Sequence, residues 1–105
     1  MVNRKRRSDR KHAIYRIVNI LTGECYIGIT VTNGNAVKRA VKVRFQKHVS
    51  RAKQESKSWA FCEAIRAWGS ECFEPEVLEV VRGRKPAHQR ERELIREFNP
   101  TLNTF

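Results

Sequence analysis

An α+β domain is predicted: a small three-stranded antiparallel sheet flanked by three helices, in the order β-β-α-α-β-α. Three observations carry this expectation. Two runs rich in β-branched and aromatic residues flank a Thr22-Gly23 turn, apolar side chains recur at helical spacing from Val37 onward, and a third strand-like run near Val77 separates two further helical stretches. With 105 residues, 40% of them apolar, the chain supplies one core and leaves little for a second.

The first two runs, Ala13 to Asn19 (AIYRIVN) and Glu24 to Thr30 (ECYIGIT), read as a hairpin. With a register set by an even-numbered loop, odd positions of the first strand share a side with even positions of the second, so Tyr15 and Tyr26 fall on one face. Asn33-Gly34 is the strongest turn signal in the chain. From Val37 to Lys53 the apolar residues Val37, Val41, Phe45, Val49 and Ala52 mark the buried stripe of a helix. Arg44, His48 and Arg51 follow the same rhythm one step away, half supported by the core and half open to a cleft. Ser58 is expected to cap a shorter helix that points Phe61, Ile65 and Trp68 inward and ends on a left-handed Gly69.

The third strand is expected over Phe73 to Val81, with Pro75 arguing for an edge position. The last helix should begin near Pro86 and end before Asn99-Pro100, with Ala87, Glu91, Leu94, Ile95 and Phe98 facing in. Glu91 breaks that pattern. A carboxylate in an apolar stripe needs a cation, a metal ion or an open cleft beside it.

The formal charge of +11 is concentrated in two blocks. Residues 1–12 hold Arg4, Lys5, Arg6, Arg7, Arg10 and Lys11 against Asp9, and residues 36–57 hold Lys38, Arg39, Lys42, Arg44, Lys47, Arg51, Lys53 and Lys57 against Glu55. The remainder nets −1. The organisation that follows is a basic arm over residues 1–12 and a folded domain over residues 13–105, with both blocks following the phosphates of a nucleic acid. The expected DNA contacts are Arg4, Lys5, Arg6, Arg7, Lys38, Arg39, Lys42, Lys47 and Arg51. No apolar run reaches the roughly 20 residues needed to cross a bilayer, and the arm has no apolar face for a membrane surface. A cytosolic location is expected, or a nuclear one in a eukaryote. Cys25, Cys62 and Cys72 lack the paired spacing of a zinc site and are expected to be reduced and buried, while His12, His48 and His88 lie too far apart for an ordinary zinc layout.

On particular residues the chain resembles the GIY-YIG nuclease family, from Ala13 to Asn103. The two naming tripeptides stand as Ala13-Ile14-Tyr15 and Tyr26-Ile27-Gly28. Arg44 and His48, in VRFQKH, match the family's Arg-x-x-x-His helix; Glu91, in RERELI, matches its metal-binding glutamate; NPTLN puts Asn103 at its terminal asparagine. The departures are Ala13 in place of glycine, a segment between Gly28 and Arg44 longer than in the smallest members, and no second, target-finding domain after Asn103.

The resemblance implies a small freestanding endonuclease of the phage type that hydrolyses phosphodiester bonds in DNA with low or short degenerate sequence specificity. Tyr15, Tyr26, Arg44, His48, Glu91 and Asn103 would form the catalytic set. Glu91 would bind Mg²⁺ or Mn²⁺, Arg44 would oppose charge on the scissile phosphate, and Tyr15 or His48 would take the proton from water. Tyr26 and Asn103 would orient water, phosphate or Glu91. One site cuts one strand, so a double-strand break calls for a homodimer, a higher oligomer or two events. The competing readings are a non-catalytic DNA-binding module and a nuclease acting on branched DNA or RNA. Trp59 and Trp68 are expected in the core or at its rim, where an exposed indole can stack on an unpaired base.

Overall fold

A computed structural model describes residues 10–32, 36–54 and 59–103. The elements are β1 (Lys11–Asn19), β2 (Cys25–Val31), α1 (Val37–Gln54), α2 (Ala60–Trp68), β3 (Phe73–Arg82) and α3 (Arg84–Phe98), with a short 3-10 turn at Ser70–Cys72 before β3. This is the predicted order. Arg4, Lys5, Arg6 and Arg7 of the arm, the Asn33-Gly34 turn and the Ser58 cap lie outside the described residues. None of the described helices is long and apolar enough to cross a membrane.

The sheet runs β2-β1-β3, with β1 antiparallel to both neighbours. β1 begins at Lys11, two residues before the expected start, because Lys11 and His12 pair with Arg82 and Val81. Tyr15 stands opposite Gly28 and Ile17 opposite Tyr26, so the tyrosines share a face as the loop parity required. Asn19 closes the hairpin: its Oδ1 accepts the backbone N–H groups of Leu21 and Thr22. β3 is an edge strand, and Pro75 lies in it without a ladder to break on its outer side.

β1 is buried on both faces, which is why it reads as nearly continuous apolar sequence. Ala13, Tyr15 and Ile17 face α1 and α2 and join Val41, Phe45, Val49, Phe61 and Ile65 in the larger core. Ile14 faces the other way, joining Ile27 and Leu94 in a smaller cluster edged by Ile29, Leu78, Val81 and Ile95. Thus α1 and α2 cover one side of the sheet and α3 the other.

Several expectations need correction at the helix ends. Trp68 is 46% exposed and Phe98 39% exposed. Both are the last residues of their helices, where the correct periodicity runs past the sheet that would cover it. The Arg16 guanidinium lies over the Phe98 ring, 5.0 Å from its centroid. Gly69 does terminate α2, at positive φ and with its N–H on the Ile65 carbonyl, but its ψ of 147 takes it out of the left-handed helical well that Asn99 occupies after α3. α3 starts at Arg84, so Pro86 is its third residue, still in the first turn where a missing N–H costs no bond. Cys25 and Cys62 are buried free thiols, whereas Cys72 is only half-buried.

Candidate active site

The site grows from the β1–β2 pair. Facing residues on adjacent antiparallel strands stand about 5 Å apart, so the Tyr15 phenol, leaning along its strand, passes over whatever side chain β2 presents. β2 presents Gly28. A Cβ there would lie 2.5 Å from the Tyr15 oxygen and 2.9 Å from a Tyr26 ring carbon. Glycine is required here by close approach, since no positive φ is involved, and the second tripeptide's glycine is what lets the two tyrosines close up.

The larger core then fixes both rings. Tyr26 stacks on Phe61 of α2 with centroids 4.5 Å apart and planes 8° from parallel. The His48 ring meets Tyr26 and Phe61 edge-on, at 5.1 Å from each. From α1, His48 brings its Nε2 to 3.0 Å from the Tyr15 hydroxyl. Arg44, one turn earlier on the same helix, has its Nε buried without a hydrogen-bond partner among the described residues. An orphaned guanidinium N–H invites an acceptor from outside the protein.

Electrostatics follow from this packing. Burial raises the Tyr15 pKa well above that of a free phenol; Tyr26 and Glu91 push the same way, and Arg44 pulls it back. Tyr26 is raised for the same first reason, again with Arg44 opposing and Glu91 reinforcing. Burial and then the Arg44 and Arg51 charges lower His48 to about 4, so it is a neutral imidazole at neutral pH.

Glu91 comes from α3, across the sheet. Its charge is felt by both phenols, which puts it on the rim of the same cluster. Its side chain keeps 18% of its surface exposed, and the Nδ1 of His88, one turn earlier, stands 3.6 Å from its Oε1. Burial raises its pKa, with His88 and Arg92 pulling it down. The apolar-stripe anomaly therefore resolves into a half-open cleft with a histidine beside the carboxylate. No group of three or more metal-ligating side chains occurs among the described residues. This donor set fits a hard divalent ion that takes one carboxylate, keeps several waters and shares oxygens with a phosphate.

Asn103 faces elsewhere. Its Oδ1 accepts the Ile27 N–H and its Nδ2 donates to the Ile27 carbonyl, each at 2.8 Å. The asparagine thereby supplies the strand partner that the edge of β2 lacks, next to Tyr26. Leu102 adds a backbone bond to Cys25.

Arg44 is the ridge between two cavities. One, about 320 Å³, runs along α1 past Thr30, Arg39, Val43 and Lys47. The other, about 430 Å³, lies among Tyr26, His48, Arg51, Trp59, Phe61 and Leu102. Of the expected DNA contacts, Arg39 and Lys47 join Arg44 in the first and Arg51 enters the second. Lys38 and Lys42 do not join them, since they sit on the helix face toward β3 and border Glu76. Reasoning from sequence missed Gly28, Phe61 and His88. A glycine within a strand pattern was the available signal for the first; helical periodicity placed Phe61 inward without giving its partner, and nothing in the sequence marked His88.

A paired-tyrosine hairpin backed by an Arg-x-x-x-His helix, with a glutamate on the opposite helix, defines the catalytic domain of a nuclease. The chain belongs to the GIY-YIG catalytic-domain family, whose model matches residues 11–104. In three dimensions it is similar to the catalytic domain of the homing endonuclease I-TevI, with a TM-score of 0.67 and 22% identity over 90% of this chain and 95% of that one. A glutamate-to-alanine mutant of the same intron endonuclease domain superposes with a TM-score of 0.68 and 22% identity, over 90% of this chain and 91% of the other. No curated protein matches along the sequence.

Proposed function

We propose that this enzyme is a DNA endonuclease that needs Mg²⁺ or Mn²⁺ and cuts with low or short degenerate sequence specificity. One observation carries the reading: the Tyr15 hydroxyl, in contact with a neutral His48, lies beside an arginine whose Nε–H is unmatched and which borders a cationic groove.

A phosphate of the substrate is received by Arg44, whose planar fork opposes the charge that builds on the phosphoryl oxygens. Tyr15 takes the proton of the attacking water. A free phenolate is costly there, because burial raises its pKa; passing the phenol's own proton to His48 Nε2 avoids forming one. Phosphate bound at Arg44 offsets the cationic charge that depresses His48, which restores part of its basicity when substrate is present. Tyr26 holds the rings in place, and Asn103 fixes the strand that bears it. Glu91 would hold the divalent ion, which supplies Lewis acidity at the phosphate and relief of charge on the departing 3′ oxygen.

Incubation of purified protein with supercoiled plasmid and Mg²⁺, Mn²⁺ or a chelator tests this. Nicked or linear product with either ion and none with chelator is expected. Binding without nicking would leave only the non-catalytic DNA-binding reading. Parallel duplex, branched and RNA substrates rank the substrate classes.

A further inference from the structure

Outside the two basic blocks the chain is one charge below neutral, yet folding separates the charges of that remainder. Glu76 pairs with Arg16, and Glu79 and Glu93 both engage Arg90. Among the other cations of that remainder are Arg82, at the end of β3, and Arg84, Lys85 and Arg92 on α3. Together with His88 they line a cavity of about 800 Å³ that no acidic side chain borders among the described residues. Arg82, Arg84 and Lys85 make no ion pair among the described residues. Matched arginines a few residues away show that carboxylates were within reach of this surface, so the unmatched cluster repels itself until an outside anion relieves it.

Three placements define that anion. The Gly83 N–H on the cavity's wall donates to the Arg10 carbonyl at 3.0 Å, and Lys11 stands opposite Arg82, so Arg10 and Lys11 add two cations at the cavity's rim. The groove bearing Arg39 and Lys47 lies at the same end of the sheet, because His12 pairs with both Val31 and Val81. The strands bearing the two cavities are two spacings, about 10 Å, apart. Finally, the candidate active site touches both: Arg44 lines the α1 groove, and His88 lines the α3 cavity while contacting Glu91.

We propose that the α3 cavity is a second phosphate seat, which grips the polynucleotide on the far side of the scissile bond, with Arg10 and Lys11 at its rim. The backbone path runs from Arg39 and Lys47, over Arg44 and Glu91, to Arg82, Arg84 and Lys85. A single small phosphate would leave most of these cations unmatched in so open a cavity; an extended polyanion matches several and releases their counterions. The inference rests on the nuclease reading and adds to it that substrate must extend on both sides of the cut.

The test is duplex binding without divalent ion, across a salt series, for wild type, an Arg82→Gln/Arg84→Gln/Lys85→Gln variant and an Arg39→Gln/Lys47→Gln variant. Duplexes of about 30 and about 10 base pairs are compared. On the longer duplex the triple variant is expected to bind at least about tenfold more weakly, with a log K against log salt slope shallower by about 2 to 3, near 0.9 per lost phosphate contact. On the shorter one the loss shrinks, since it cannot reach both seats. Wild-type affinity and slope in the triple variant, beside a loss in the α1 variant, would overturn the second seat and leave the nuclease reading standing. Equal losses on both duplexes would overturn the path. Wild-type binding by both variants would overturn the DNA groove itself. Should the triple variant fail to fold, Arg84→Gln alone, at an exposed position, is expected to change the slope by about 0.9.

Discussion

The two faces of the sheet differ in how firmly they hold chemistry. On the α1 and α2 side, Tyr15, Tyr26, His48 and Phe61 form an aromatic box in which every ring touches another and the Tyr15 phenol pairs with the His48 imidazole. On the α3 side a smaller apolar cluster supports one carboxylate with one histidine beside it and part of its surface open. Groups that pass protons need fixed distances, and dense packing supplies them. A group that binds a hard ion needs room for water and phosphate, and a thinner layer supplies that.

The largest expected effect separates the faces directly. Glu91→Gln should lower plasmid nicking by about a thousandfold or more, by removing the ion's carboxylate, while DNA affinity without divalent ions stays near wild type. Nicking at the wild-type rate would break the comparison, because ion binding would then belong elsewhere. On the other face, Tyr15→Phe keeps the ring and deletes the hydroxyl. A loss of roughly a hundredfold is expected, within the range for general acid–base groups, at little cost in thermal stability; an active Tyr15→Phe enzyme would leave His48 to act alone.

Gly28→Ala sharpens the claim that the box is set by close approach. The added methyl would lie 2.5 Å from the Tyr15 oxygen, a clash that should cost about 1–3 kcal/mol, and each lost kcal/mol lowers Tm by about 4–8 °C in a domain of this size. Calorimetry showing unchanged stability together with full activity would mean that the tyrosines have slack.

The smallest effect is a slope. His48 is held at about 4 against an ordinary 6.5, so between those values the unfolded chain binds a proton that the folded chain refuses. Its contribution is therefore complete above pH 6.5 and is lost as pH falls toward 4, by at most about 1.4 kcal/mol per pH unit. His48→Gln should flatten Tm against pH in that window; an unaltered profile would show that His48 is not the group responsible.

Much of this was legible beforehand because it depends on short-range repetition. Strand and helix periods located each of the six elements to within a residue or two, loop parity put Tyr15 and Tyr26 on one face, and the interrupted stripe singled out Glu91. The errors came where a local pattern outruns its support. Trp68 and Phe98 keep helical phase but lie beyond the sheet. How one basic block divides between helix faces was a separate matter: Lys38 and Lys42 turn to the β3 side, while Arg39 and Lys47 line the α1 groove. Asn103 was legible as a motif residue, but its engagement with Ile27 depends on β2 being an edge strand, which strand order alone decides.

By itself the sequence determined which residues alternate, which recur every turn and which carry charge, because these properties are settled within a few positions of one another. Only the tertiary structure decided that Gly28 yields its space to Tyr15, that Phe61 backs Tyr26, and that Arg82, Arg84, Lys85 and Arg92 gather around one cavity. Such juxtapositions are fixed by burial against distant segments, and no local spacing encodes them.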